Sequence, residues 1–150
     1  MAAVLGVVSG AVSLAGFAGQ LAQGTLFLCG FFKDIKDAPE DVRRLLEELT
    51  LLERLFGGIQ RSFSGHDPDL EQALRFCEQK IGELSTFVKL HEPAVGMKKG
   101  EVFWKKLKLA SRQSELVKYL GGLERAKSMV LQACMSISRY ENLLDRLFLA

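Results

Sequence analysis

Apolar residues recur at helical spacing through most of this chain. Over residues 42–63 they fall every three or four positions, and the same spacing returns over 70–88. This pattern places them along one side of a helix and is typical of a helix packed in a bundle. It predicts helices over 38–63 and 68–91. No run alternates with a period of two and no Asn-Gly or Asp-Gly hairpin turn occurs, so the predicted fold class is all-α.

Residues that favour helix starts precede both predicted helices. Asp37-Ala38-Pro39-Glu40 offers an acidic N-cap, a proline for the first turn and a glutamate three positions after the cap. Asp67-Pro68 repeats the acid-proline pair, and Pro93 is expected to end the second helix. Gly57-Gly58 interrupts helix propensity within 38–63 but keeps the apolar period. We interpret this pair as a site of close approach or a bend.

The last third is also helical by pattern, from about 101 to 148. One helix of that length would extend about 70 Å, so a break is expected. The capping residues at 110–114 and the pair Gly121-Gly122 both qualify, and we favour the first. The prediction is a short basic helix over 101–110 and a long one over 113–148. Together with the segment 1–32, this gives a single-domain bundle of four main helices with a short extra helix before the last.

The first 32 residues, MAAVLGVVSGAVSLAGFAGQLAQGTLFLCGFF, contain no charged side chain. A secretory signal begins with basic residues, and the first here is Lys33, which disfavours secretion. The segment is long enough to cross a bilayer, but six glycines make it a marginal span. Gly6 and Gly10 have the spacing that permits close helix packing. Each glycine also weakens the helix by about 0.8–1 kcal/mol, so it needs packing or lipid to persist. A buried bundle helix and a membrane-entering helix both fit.

Positive charge is concentrated late in the chain, although the net charge is only +2. Residues 98–150 hold eleven basic and five acidic side chains. The densest stretch also contains Trp104, and its basic residues are Lys98, Lys99, Lys105, Lys106, Lys108 and Arg112. Anionic lipid heads, nucleic acid or plain solvation of a helix face would suit such a stretch. Nucleic acid is disfavoured, because no recognition-helix pattern accompanies it and the chain is nearly neutral.

Motifs for catalysis and metal binding do not occur in the sequence. There is no nucleotide-binding glycine loop, no zinc-protease or serine-hydrolase motif and no CxxC pair. The widely separated Cys29, Cys77 and Cys134 are predicted to be small buried hydrophobic residues in a reducing compartment. His66 and His91 lie far apart in sequence, without neighbouring ligands. We therefore expect no enzyme activity, no metal and no cofactor.

Three stretches resemble the HeLo-like N-terminal domains of fungal cell-death effectors and fungal NLR-like (STAND) receptors. They are MAAVLGVVSGAVSLAGFAGQLA, KDAPEDVRRLLEELTLLERLF and FWKKLKLASRQSELVKYLGGLERAKSMVLQA, and the resemblance covers essentially the whole chain. The resemblance implies a bundle related to the four-helix executioner domains of the animal mixed-lineage kinase-like pseudokinase and of plant RPW-type resistance proteins. In such proteins an N-terminal hydrophobic helix moves to the membrane after oligomerisation and permeabilises it.

The resemblance also implies partners and a location. The expected function is a membrane-permeabilising cell-death effector in fungal innate immunity, cytoplasmic at first and moving to the plasma membrane on activation. An upstream NLR-like receptor or a partner with an amyloid motif would trigger its homo-oligomerisation. The basic residues of 98–112 would bind anionic lipid, and the residues expected to insert are Val4, Leu5, Val7, Val8, Val12, Leu14, Phe17 and Leu21. The alternative is a soluble signalling or oligomerisation module that binds partner bundles without entering lipid.

Overall fold

The computed structural model contains four helices packed against one another. It describes residues 13–35, 38–90 and 114–149, with the side chains of the last helix described through Ser138. Within those ranges there is no strand, which confirms the predicted all-α class with four main helices. The helices are α1 (Leu14–Lys33), α2 (Glu40–Ser62), α3 (Pro68–Leu90) and α4 (Ser114–Leu149).

Each helix packs on two neighbours. α1 lies mainly against α2, α3 lies mainly against α4, and the two pairs meet through α2 with α4 and α1 with α3. Although five residues join them, α2 and α3 therefore lie at opposite corners of the bundle. Arg44 pairs with Glu124 and Glu48 with Lys127, so α2 and α4 run parallel.

The apolar stripes predicted from the spacing form the core. In α2 every stripe position through Ile59 is buried, and in α3 every position through Val88 is buried. Ten residues of α1 join them, including the fully buried aromatic rings of Phe17 and Phe32. The core is therefore built from all four helices, and α1 is an integral part of it.

The predicted N-cap is found at the start of α3 but not at the start of α2. Asp67 caps α3 as expected, with its Oδ1 accepting from the backbone N–H of Leu70 at 2.9 Å. In α2, however, the N-cap is Pro39, which has extended backbone geometry and makes no side-chain capping bond. Its carbonyl accepts from the N–H groups of Val42 and Arg43, both at 3.1 Å. Proline therefore stands before the first turn and not within it, and Asp37 lies outside the described residues.

Both glycine pairs lie inside continuous helices. α4 continues through Gly121 and Gly122, which agrees with the prediction that favoured a break at 110–114 over one at this pair. Gly122 accommodates the side chain of Lys80 from α3. Of the two interpretations of Gly57-Gly58, close approach is wrong, and a bend stays a prediction. A Cβ atom on Gly58 would meet nothing within 4 Å, and one on Gly57 would meet only Arg61 of the same helix. The short helix predicted at 101–110 and its Trp104 lie outside the described residues.

Candidate membrane-interaction helix

α1 is a 20-residue helix with no charged side chain before Lys33 at its end. At 1.5 Å per residue it extends about 30 Å, the thickness of the hydrocarbon core of a bilayer. Among the described helices it is the one long and apolar enough to span a membrane, and half of that span is buried inside the bundle. Core helices of globular proteins meet the same criterion, so length and hydropathy alone do not distinguish a membrane helix from a core helix.

The outward face of α1 carries two large apolar side chains and no charge, where a bundle helix ordinarily carries charged residues. Gln23, Leu26, Phe27 and Gly30 are all exposed and lie three or four positions apart along one stripe. The side chain of Leu26 is 60% exposed and that of Phe27 is 39% exposed. Surface helices normally present polar or charged residues to water on this face. α1 is thus apolar toward the core and largely apolar toward solvent.

Two polar side chains of α1 and its N-cap make hydrogen bonds within the helix. The N-cap Ser13 Oγ accepts from the N–H of Gly16 at 3.0 Å, and the buried Thr25 hydroxyl donates to the Leu21 carbonyl at 2.7 Å. Gln20 Oε1 is buried without a hydrogen-bond partner in the described structure. In a bilayer a helix must satisfy its polar groups internally. The bonds of Ser13 and Thr25 already meet that condition, whereas Gln20 Oε1 would need a partner in the bilayer.

The polar side chains described in contact with α1 make no ion pair with it. The guanidinium of Arg75 in α3 lies 5.7 Å from the Phe17 ring centroid, and the Gln60 side chain of α2 lies over Gly19. The thiol of Cys29 lies 4.0 Å from the Thr50 hydroxyl of α2. By contrast, the described ion pairs between helices join α2 to α4. The charged contacts between α2 and α4 therefore do not involve α1.

The structure divides the residues predicted to insert into two groups. Leu14, Phe17 and Leu21 are buried in the core, so they are not available to lipid while the bundle is closed. The others lie outside the described residues: Val4, Leu5, Val7, Val8 and Val12, with the packing glycines Gly6 and Gly10. The predicted lipid-binding residues Lys98, Lys99, Lys105, Lys106, Lys108 and Arg112, as well as His91, also lie outside them.

Sequence reasoning did not single out Leu26 and Phe27. The signal was present, because Leu26-Phe27-Leu28 is followed by Phe31-Phe32, which is more large apolar surface than one helix face can bury. Leu28, Phe31 and Phe32 take the core positions. The two remaining side chains are left facing solvent.

The three cysteines are free, and one of them is fully buried as the sequence predicted. Cys77 is buried, and burial raises the pKa of its thiol to about 12. Cys29 and Cys134 are half-buried, and burial is the main cause that raises the pKa of each. All three are therefore neutral thiols near pH 7. In the part of the chain that the structure describes, no group of three or more His, Cys, Asp or Glu side chains is placed to hold a metal ion.

No family model, curated protein or solved structure matches this chain. Its function is therefore inferred from the chemistry of α1 and from how α1 is held in the bundle.

Proposed function

We propose that this chain is a membrane-permeabilising cell-death effector domain of the HeLo-like type, which acts by oligomerising and inserting its N-terminal segment into the bilayer. The observation that carries the proposal is that α1 is apolar toward the core, largely apolar toward solvent and uncharged up to Lys33. Its two described side-chain hydrogen bonds to backbone are internal to the helix. Such a helix can move from a protein core into hydrocarbon while those groups keep their hydrogen bonds.

Insertion in this proposal has two steps. The exposed Leu26 and Phe27 enter the membrane interface first, while the bundle is still closed. α1 then leaves the bundle, and its buried face exchanges the core for lipid. Exposing one large apolar core side chain to water costs about 1.5–3 kcal/mol of free energy, so release of α1 into water is unfavourable. Hydrocarbon removes most of that cost, so opening depends on the membrane.

The remaining elements of the proposal concern targeting. The basic residues of 98–112 bind anionic lipid at the cytoplasmic surface of the plasma membrane, at about 1 kcal/mol for each lysine or arginine near the surface. Val4, Leu5, Val7, Val8 and Val12 extend the inserting segment ahead of α1. Oligomerisation, triggered by an upstream NLR-like receptor or an amyloid-motif partner, gathers the copies that are needed to permeabilise the bilayer.

Dye release from anionic phosphatidylserine vesicles tests this proposal, with Leu26→Asp as the decisive variant. Leu26 lies near the middle of α1, where a charge costs about 2.5–3.5 kcal/mol in a bilayer. Because its side chain is 60% exposed, the substitution leaves the closed bundle folded. Leu90→Asp is the matched control, since Leu90 is an exposed leucine (77%) at the end of α3.

The expected result is leakage by the wild-type chain and by Leu90→Asp, and none by Leu26→Asp. Helical circular dichroism and melting temperature establish that both variants are folded. Equal leakage by the two variants would show that α1 does not cross the bilayer. Loss of leakage on removing the charges of Lys105, Lys106 and Lys108 would support docking to anionic lipid.

A soluble signalling or oligomerisation module is the second candidate, and a feature of α4 favours it. Val117, Leu131 and Met135 are exposed. Val117 and Leu131 are two heptads apart, and Met135 lies one turn further on, so the three share a helix face. Such a face suits a partner helix. Concentration-dependent self-association in the absence of vesicles, abolished by Leu131→Glu and without leakage, would favour this function.

A further inference from the structure

A cavity of about 300 Å³ opens between α2 and α4, beside the start of α3. Its walls are apolar, because its lining includes Leu55, Ile59, Phe63, Leu70 and Ile137. Gly58 contributes to it by lacking a side chain, since a Cβ atom there would meet nothing within 4 Å. The volume lies at the lower end of the range for ligand sites, about 300–1,000 Å³.

The polar side chains of the cavity lie at its solvent edge. Arg54, Ser62 and Ser138 line it and are all exposed. The guanidinium of Arg54 takes part in no ion pair with the residues that the structure describes, whereas Arg44 on the same helix pairs with Glu124 at 2.7 Å. A cation at the mouth of an apolar cavity complements a ligand with one acidic group and a hydrocarbon tail.

A carboxylate also lies near Cys134, one of the residues that line this cavity. Burial is the main cause that raises the pKa of the Cys134 thiol, and the charge of Asp67, which follows α2, raises it further. Its Oδ1 is already engaged with the N–H of Leu70. Arg54 lies eight residues before Ser62, or about 12 Å along the helix. The cavity therefore has room for an acidic group at Arg54 and for a tail that extends between α2 and α4 towards Ser62.

We propose that this cavity binds a single-chain anionic amphiphile of the fatty-acid class, with the carboxylate on Arg54 and the tail against Ile59, Phe63 and Ile137. The small volume suits one short chain and not a two-chain lipid. The site is separate from α1, and the inference does not rest on the proposed membrane function.

Titration of the full chain with decanoate, without vesicles and below its micelle concentration, tests the site by calorimetry. Decanol keeps the tail and lacks the charge, and butyrate keeps the charge with a short tail. Gly58→Leu fills the cavity, whereas Gly121→Leu is the matched control, because Gly121 is exposed on α4 with open space around it. Arg54→Gln removes the cation.

The expected result is saturable binding of one decanoate, with butyrate not bound. Arg54→Gln should weaken decanoate binding about tenfold and leave decanol binding unchanged. Gly58→Leu should abolish both, and Gly121→Leu should change neither. Bound decanoate should also protect Cys134, which lines the cavity, from alkylation in a Cys29→Ser background. Absence of saturable binding, or binding unaffected by Gly58→Leu or by Arg54→Gln, would overturn the proposal.

Discussion

The thiol of Cys29 in α1 lies 4.0 Å from the hydroxyl oxygen of Thr50 in α2. The two side chains face each other across the seam by which α1 is held to its main neighbour. A sulfur atom at position 50 would be within reach of Cys29 after a change of side-chain rotamer. The native structure therefore offers a way to lock α1 reversibly with one substitution.

Thr50→Cys should form a disulfide with Cys29 under oxidising conditions. The bridge joins positions 21 residues apart, so it should raise the free energy of unfolding by up to about 3 kcal/mol. Urea denaturation with and without dithiothreitol measures the difference. Ser128→Cys is the control, because Ser128 is exposed on α4, at the corner of the bundle opposite α1. An equal effect of reductant on both variants would contradict the proximity of α1 and α2 at this point.

Gly19 and Gln60 should show coupled effects on stability. A Cβ atom at Gly19 would lie 2.6 Å from the Gln60 side-chain nitrogen, so Gly19→Ala must displace that flexible side chain. The displacement should offset the gain in helix propensity, about 1 kcal/mol. In a Gln60→Ala background the same substitution should be stabilising. A double-mutant cycle by urea denaturation measures this, and identical effects in both backgrounds would exclude the contact.

Glu78→Gln should stabilise the protein at neutral pH and not at acid pH. One carboxylate oxygen of Glu78 is buried without a hydrogen-bond partner, and burial raises the pKa of this group, while Arg75 opposes the rise. Because the pKa is raised on folding, the ionised form is the destabilising one. The advantage of glutamine should therefore appear as pH rises from about 4, the ordinary glutamate value, through the raised pKa. Melting temperatures of both proteins against pH test this; a difference that is constant with pH would contradict it.

The cysteines should differ in reactivity. Cys77 is fully buried, its thiol contacts the Ala126 carbonyl at 3.8 Å, and its pKa is raised to about 12. It should resist maleimide in the native protein and react on unfolding, whereas the half-buried Cys29 and Cys134 should react slowly in the native state. Peptide mass mapping after timed labelling identifies the modified sites. Labelling of Cys77 at the rate of the others would show that the α3–α4 contact opens readily.

The helices could be predicted because their signals are local. The three-four spacing defined the buried faces of α2 and α3, and Asp67-Pro68 marked the start of α3. The glycine pairs were harder, since their effect depends on what lies opposite. Gly122 has the Lys80 side chain opposite it, whereas Gly58 has open space. The sequence does not show which residue, if any, lies opposite a glycine.

The candidate site was predicted only in outline. The uncharged start of the chain indicated a helix suited to two environments, but its pattern did not divide the apolar residues between core and solvent. That division depends on which side of α1 meets α2 and α3. Packing buries Leu14, Phe17 and Leu21 and leaves Leu26 and Phe27 exposed.

The most direct test of the account is dye release by the Thr50→Cys variant, measured oxidised and then reduced on the same anionic vesicles. If α1 must leave the bundle to permeabilise the bilayer, the oxidised protein will bind vesicles without leakage, and dithiothreitol will restore leakage to the level of the wild-type chain. The wild-type and Ser128→Cys proteins will leak equally in both states. Leakage by the oxidised Thr50→Cys protein at the wild-type rate would contradict the release of α1 as the membrane-active step.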